Sequence, residues 1–144
     1  MEYRVYGQDV VVRMDRGEEI LDCIRQALAE TLAAILLGSV SGIGAIGEVT
    51  LGVFNREKFI YEKRDYTGDM EIASCSGNIS TMKGKNYLHI HMVVGNVTRD
   101  FCCGGHLNRA VISLTGEFVI HKIAGEVDRA YSSEIGLNLY RFVD

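Results

Sequence analysis

A chain of 144 residues with 47% hydrophobic and 24% charged side chains suits one globular domain over residues 1–144. Its formal net charge is −4 and its basic residues are scattered, so it lacks the basic stripe that neutralises phosphates, which leans against direct nucleic-acid binding. No apolar run approaches the ~20 residues that span a bilayer, and the opening Met1-Glu2-Tyr3-Arg4-Val5 lacks a signal peptide's layout, so a cytoplasmic protein away from membranes is expected.

The first segments, Tyr3-Arg4-Val5-Tyr6 and Val10-Val11-Val12-Arg13, are β-rich and flank Gly7-Gln8-Asp9, which predicts two short edge strands joined by a turn. From Gly17 the period changes. Glu18 and Glu19 suit the positive end of a helix, and Ile20, Leu21, Ile24, Leu28 and Leu32 follow helical spacing. This stripe should pack on a sheet and leave Arg25, Gln26 and Glu30 in water. Residues 33–40 read as an apolar strand that leads into the glycine-rich stretch 39–47. A phosphate-cradling loop should open a helix, but residues 48–54 read as strand, so these glycines predict a bend, a bulge or a close backbone approach. Residues 48–54 and 58–66 form an expected hairpin around Asn55-Arg56-Glu57. Gly68 then restarts the chain, 70–76 is another strand, Gly77-Asn78 offers a turn and 82–86 a loop.

That loop delivers the stretch most suggestive of chemistry. On a strand, Leu88, Ile90, Met92 and Val94 share one face and Tyr87, His89, His91 and Val93 the other, a core face and a site face. Positions i and i+2 stand about 6.5 Å apart at Cα, so two imidazoles can converge on one ion at about 2 Å from each nitrogen. His106 follows Gly104-Gly105, which permits a sharp turn or a close approach, and it is placed to be a third ligand. His-x-His alone is better explained by rings that are solvated or satisfied by a neighbouring carbonyl. A third histidine adds the alternative of a zinc site with three neutral imidazoles and an open fourth position. Cys102 and Cys103 are soft ligands beside the turn, but neighbours on an extended segment point to opposite faces, so at most one can join. Cys23 and Cys75 read as small core residues, and without a CxxC pair the four thiols are expected to be reduced.

Residues 110–123 alternate again and carry His121, read as structural or solvent-facing, and residues 137–142 form a last strand. About eight or nine strands with one long helix make the fold class α+β with a mostly antiparallel sheet. There is no proline, so turns must rely on Asn, Asp and the 16 glycines.

Taken in order, several motifs resemble the plants-and-prokaryotes-conserved (PPC) domain over nearly the whole chain. They are Tyr3-Arg4-Val5, Gly17-Glu18-Glu19, Ser41-Gly42-Ile43-Gly44-Ala45, Gly68-Asp69-Met70-Glu71-Ile72, Ser76-Gly77, His89-Ile90-His91, Gly104-Gly105-His106-Leu107 and Glu134-Ile135-Gly136-Leu137. The resemblance implies a compact antiparallel sheet with a packed helix, assembled as a homotrimer. In plant members a basic AT-hook enters the DNA minor groove and this domain mediates association. Here the AT-hook is absent, and Asp69 and Met70 replace the Arg and Phe of the plant segment, so DNA binding is expected to be weak or indirect. The fold is also similar to that of acetolactate decarboxylase, whose zinc is held by three histidines, two of them in a His-x-His strand. That likeness favours His89, His91 and His106 as ligands of zinc or another divalent transition metal. Two functions follow: a trimeric metal protein acting on a small molecule as a lyase or related enzyme, or a DNA-associated regulatory module without chemistry. For the first, Glu71 and Glu117 are the strand acids to inspect as proton carriers.

Overall fold

The computed structural model describes residues 1–31 and 35–142. Strands β1 (Glu2–Tyr6) and β2 (Asp9–Asp15) form the expected hairpin, turning at Gly7 where φ is 63°. In β2, Val10, Val12 and Met14 are buried and Val11, Arg13 and Asp15 exposed, the period-two pattern of a sheet with one covered face. Helix α1 (Ile20–Thr31) begins where the acidic pair ends. Glu19 caps it with one carboxylate oxygen, which accepts the Asp22 amide at 2.9 Å. Its other oxygen accepts the Ala110 amide at 3.0 Å and so ties the helix start to the sheet. Ile20, Leu21, Cys23, Ile24, Ala27 and Leu28 are buried, while Arg25, Gln26 and Glu30 stay exposed. Leu32 and the start of the strand expected at 33–40 lie outside the described residues. Among those described, no helix is long and apolar enough to cross a membrane.

Four long strands build the frame: β3 (Gly38–Asn55), β4 (Ile60–Met82), β5 (Lys85–Asn96) and β6 (Phe101–Lys122). All pairings are antiparallel and run β1-β2-β6-β3-β4-β5, with β5 also pairing back to β6. The last pairing closes β6, β3, β4 and β5 into a ring, which removes the free edges an open sheet would leave there. Buried side chains from α1, β2 and all four ring strands make one core, with Phe118, Met14, Ile46, Ile90 and Met92 almost wholly enclosed. A separate antiparallel pair, β7 (Val127–Ser132) and β8 (Leu137–Phe142), completes the chain.

The ring corrects several expected breaks. The glycine-rich stretch does not separate two strands; it lies inside β3, whose register slips between Gly42 and Gly44 and again between Ile46 and Glu48. Both the bulge and the close backbone approach hold here, since a Cβ on Gly44 would stand 2.3 Å from the Thr115 carbonyl oxygen, and bulges let a long strand bend around a core. The hairpin at Asn55 forms as expected, with the Asn55 side-chain oxygen accepting the amides of Glu57 and Lys58 at 3.0 and 3.1 Å. Its second arm continues through Gly68 and Gly77-Asn78 as one strand, β4, with neither a restart nor a turn. The loop expected at 82–86 is a tight turn at Lys83 and Gly84, whose φ angles of 52° and 74° suit a two-residue hairpin connection. Gly104-Gly105 does not turn either. The chain reverses earlier, at the 3-10 turn Val97–Arg99, where the Asn96 side chain accepts the amides of Thr98 and Arg99.

Candidate metal centre

Strand β5 buries Ile90, Met92 and Val94 and turns His91 and Val93 outward, with His89 half-buried on the same face as His91. Across from it, β6 sets His106 in direct register with His91, while β4 sets Asn78 opposite His89 and Ser76 opposite His91. Closure of the ring therefore brings the third histidine to the first two. The three ring centroids form a nearly equilateral triangle with sides of 5.1, 5.4 and 5.4 Å.

Two glycines make this approach possible. A Cβ on Gly105 would stand 2.8 Å from the Gly52 carbonyl oxygen, so β6 reaches β3 beside His106 only because that side chain is missing. A Cβ on Gly77 would meet the His89 carbonyl oxygen at 2.4 Å and the Ile90 Cα at 2.7 Å. The glycine that resembles a turn in the sequence serves as the floor under the histidine strand.

One ring nitrogen from each histidine lies within 4.8 Å of the others, and the Nε2 atoms of His89 and His91 are 3.1 Å apart. Adjacent corners of a tetrahedron with arms of about 2.0–2.1 Å are separated by about 3.3 Å, so this pair already has nearly the spacing that zinc needs. Nδ1 of His106 is buried without a hydrogen-bond partner, an unspent lone pair or proton at the site. Burial, reinforced by His89, His91 and Lys63, lowers the pKa of His106 to about 4. Burial also lowers that of His89, with His91 and Arg129 adding to the effect. At neutral pH both rings are held in the form that binds metals.

Beside the rings lies a cavity of about 340 Å³, lined by His89, His106, Tyr61, Tyr87, Tyr140 and Arg129 among others. Tyr61 stacks on the His106 ring at 5.0 Å between centroids. Arg129, on β7, is only 8% exposed and its guanidinium lies between two aromatic faces, 4.6 Å from the Tyr87 centroid and 4.4 Å from that of Tyr140. It donates to Ser80 Oγ, the Asn138 carbonyl and Asn78 Oδ1 at 2.8, 2.8 and 2.9 Å. The sequence gives no direct sign of this residue, because no element is predicted over the segment that forms β7. A buried arginine there could have been found only from the apolar-polar alternation around Val127.

The family model of the Plants and Prokaryotes Conserved (PCC) domain matches residues 1–124. The chain belongs to this family. The structure of a candidate DNA-binding protein from Bacteroides thetaiotaomicron is 36% identical, with a TM-score of 0.91 over 98% of this chain and 96% of that one. A metal-containing protein from Archaeoglobus fulgidus is 30% identical, with a TM-score of 0.84 over 98% of this chain and 97% of that one. Acetolactate decarboxylase from Bacillus subtilis shares the fold alone, at 12% identity and a TM-score of 0.57, over 86% of this chain and 57% of that one. No curated protein matches the chain.

The remaining candidate residues of this PCC domain fall elsewhere. Cys102 and Cys103 sit opposite Gly95 and Val94 on β5, and among the described residues the ligand cluster holds histidines alone. Glu71 pairs with Ala45 and Gly95, five positions along β4 from the partner of His91, and lines a different hollow with Asp69 and Asn96. That hollow is larger, about 570 Å³, but it contains none of the histidines. Glu117 lies opposite Arg13 and Ile43. Neither acid reaches the triad. His121 is half-exposed and its Nδ1 lies 2.6 Å from Asp9 Oδ1, the solvent-facing role expected of it. Cys23 and Cys75 are buried, and burial pushes their thiols up to about 11 and 12, as inert core residues require.

Proposed function

We propose that this PCC domain is a homotrimeric metal-binding protein, a single domain over residues 1–144, in which His89, His91 and His106 hold one divalent transition metal. The observation that carries the reading is the convergence of three ring nitrogens within 4.8 Å from two different strands. The unpartnered Nδ1 of His106 and the naming of the Archaeoglobus relative as metal-containing add support. Zinc is the ion best matched to three neutral imidazoles. Bound there with an open position, it would lower the pKa of a water to about 7 or polarise a carbonyl, the chemistry of a small-molecule lyase or related enzyme. The chain's own residues supply the ligands and a partly enclosed cavity. Among the described residues no carboxylate lines that cavity, and its tyrosines are the candidate proton carriers there. Metal analysis of tag-free protein dialysed against zinc tests the site. One ion per chain is expected, and a content well below that removes both the site and the enzyme reading built on it.

A second reading is a DNA-associated regulatory protein without catalytic activity, supported by the description of the Bacteroides relative as a candidate DNA-binding protein. A net charge of −4 makes weak, salt-sensitive and sequence-indifferent duplex binding the expected result. Tight and sequence-selective binding at physiological salt would put this reading first.

A further inference from the structure

Arg129 carries a charge that no described residue neutralises. Its three hydrogen-bond acceptors are a hydroxyl, an amide oxygen and a backbone carbonyl, all neutral. Among the described residues no carboxylate lies within ion-pair distance of it, and its neighbour Asp128 is engaged by Arg141 at 2.6 Å and by Thr81 at 3.1 Å. Taking a guanidinium out of water is expensive unless a partner compensates, and faces of Tyr87 and Tyr140 compensate only in part. Holding β7 against β4 would need only a neutral donor at this point. Of the five N–H groups on a guanidinium, three are used by described residues, which leaves one on each terminal nitrogen. Two N–H groups match the two oxygens of one carboxylate. The residue also lines the histidine cavity, whose walls include Leu137, Leu139 and the tyrosine rings, suited to a small body with some apolar surface.

We propose that this cavity binds a small organic acid, with its carboxylate on Arg129 and the rest of the molecule directed toward the three histidines. This deepens the metal-site reading and rests on it for the second contact, while the contact to Arg129 stands by itself. A carboxylate is favoured over inorganic phosphate because two free N–H groups and an apolar lining suit a planar anion with a carbon body.

The probe is pyruvate, compared with its neutral isostere pyruvamide and with inorganic phosphate, titrated by calorimetry into the full-length chain with and without stoichiometric zinc. Pyruvate should bind both forms, more tightly with zinc, and pyruvamide should bind the zinc-free form at least about tenfold more weakly, the usual effect of losing a charge-assisted pair. Arg129→Gln, checked for native near-UV circular dichroism, should weaken pyruvate binding by about tenfold to a hundredfold, and Arg129→Lys should recover it only in part. If neither variant folds, the comparison of acid with amide on the wild-type chain still decides. The proposal is overturned if pyruvate does not bind, if pyruvamide or phosphate binds as well as pyruvate, or if folded Arg129→Gln binds pyruvate undiminished. The two readings separate cleanly. A chain that holds no zinc yet keeps Arg129-dependent pyruvate binding loses only the metal site, whereas a chain that holds zinc and ignores pyruvate loses only the acid site.

Discussion

At the scale of single residues, the four histidines divide by their partners. His121 has a carboxylate against it and solvent around it, whereas the other three have mainly each other. Replacing His89, His91 or His106 with Ala should therefore abolish stoichiometric zinc, and His121→Ala should leave it intact, as read by metal analysis after dialysis. Full zinc in His106→Ala would remove that residue from the site. The metal-free chain has its own pH signature. His106 is lowered from 6.5 to about 4, so between these values the unfolded chain binds more protons than the folded one. The stability gained by keeping this ring neutral is fully present above about pH 6.5 and is lost as pH falls toward 4. Urea unfolding in the presence of a chelator should show wild-type stability falling through this window. His106→Phe, which cannot be protonated there, should flatten the fall, and an unchanged slope would show that His106 is not the titrating group.

At the scale of strands, what the sequence reveals and what it hides have different physical origins. The site face of β5 is legible because alternation is a local property, and His89 and His91 fall on one face whatever the tertiary structure. The helix stripe from Ile20 to Leu28 is legible for the same reason. Glycine is ambiguous, because a missing Cβ serves a turn and a close backbone approach alike. Gly68, Gly77 and Gly104-Gly105 resemble chain breaks in the sequence but lie inside β4 and β6. The register of His91 with His106 depends on the pairing that closes the ring, a non-local fact that no short-range pattern encodes. Arg129 is hidden for a related reason, since its meaning comes from Tyr87 and from Asn78, which is 51 residues away. If Gly77 is the floor under the histidine strand, Gly77→Ala must push β5 off β4 at His89. It should destabilise the fold by roughly 1–3 kcal/mol and weaken zinc binding, as measured by urea denaturation and zinc titration. Gly47→Ala is the control, because its Cβ would meet only Ser113 at an ordinary 3.6 Å, and it should change neither.

At the scale of the whole molecule, the ring protects its own edges but does not cover all of its apolar surface. Ile43 on β3 and Leu114 on β6 are 58% and 71% exposed, and Val53 is 65% exposed. An isolated exposed aliphatic residue is ordinary, but Ile43 and Leu114 lie on paired strands, with Ile43 opposite Glu117, and such a pairing is the kind of surface that a second copy covers. This is the physical support for a homotrimer, alongside the family resemblance, and closed cyclic assembly is the common way for identical chains to bury such a face. Light scattering at micromolar concentration should give three times the mass of one chain. Because association stabilises the folded form by mass action, the thermal midpoint should also rise with protein concentration. Replacing Ile43 and Leu114 together with Lys should lower the mass without unfolding the domain, since both side chains already face solvent within one chain. A monomeric wild-type mass would sink the trimer. It would also remove the neighbouring subunit as a source of a carboxylate for the histidine cavity, whose described walls offer tyrosines but no carboxylate.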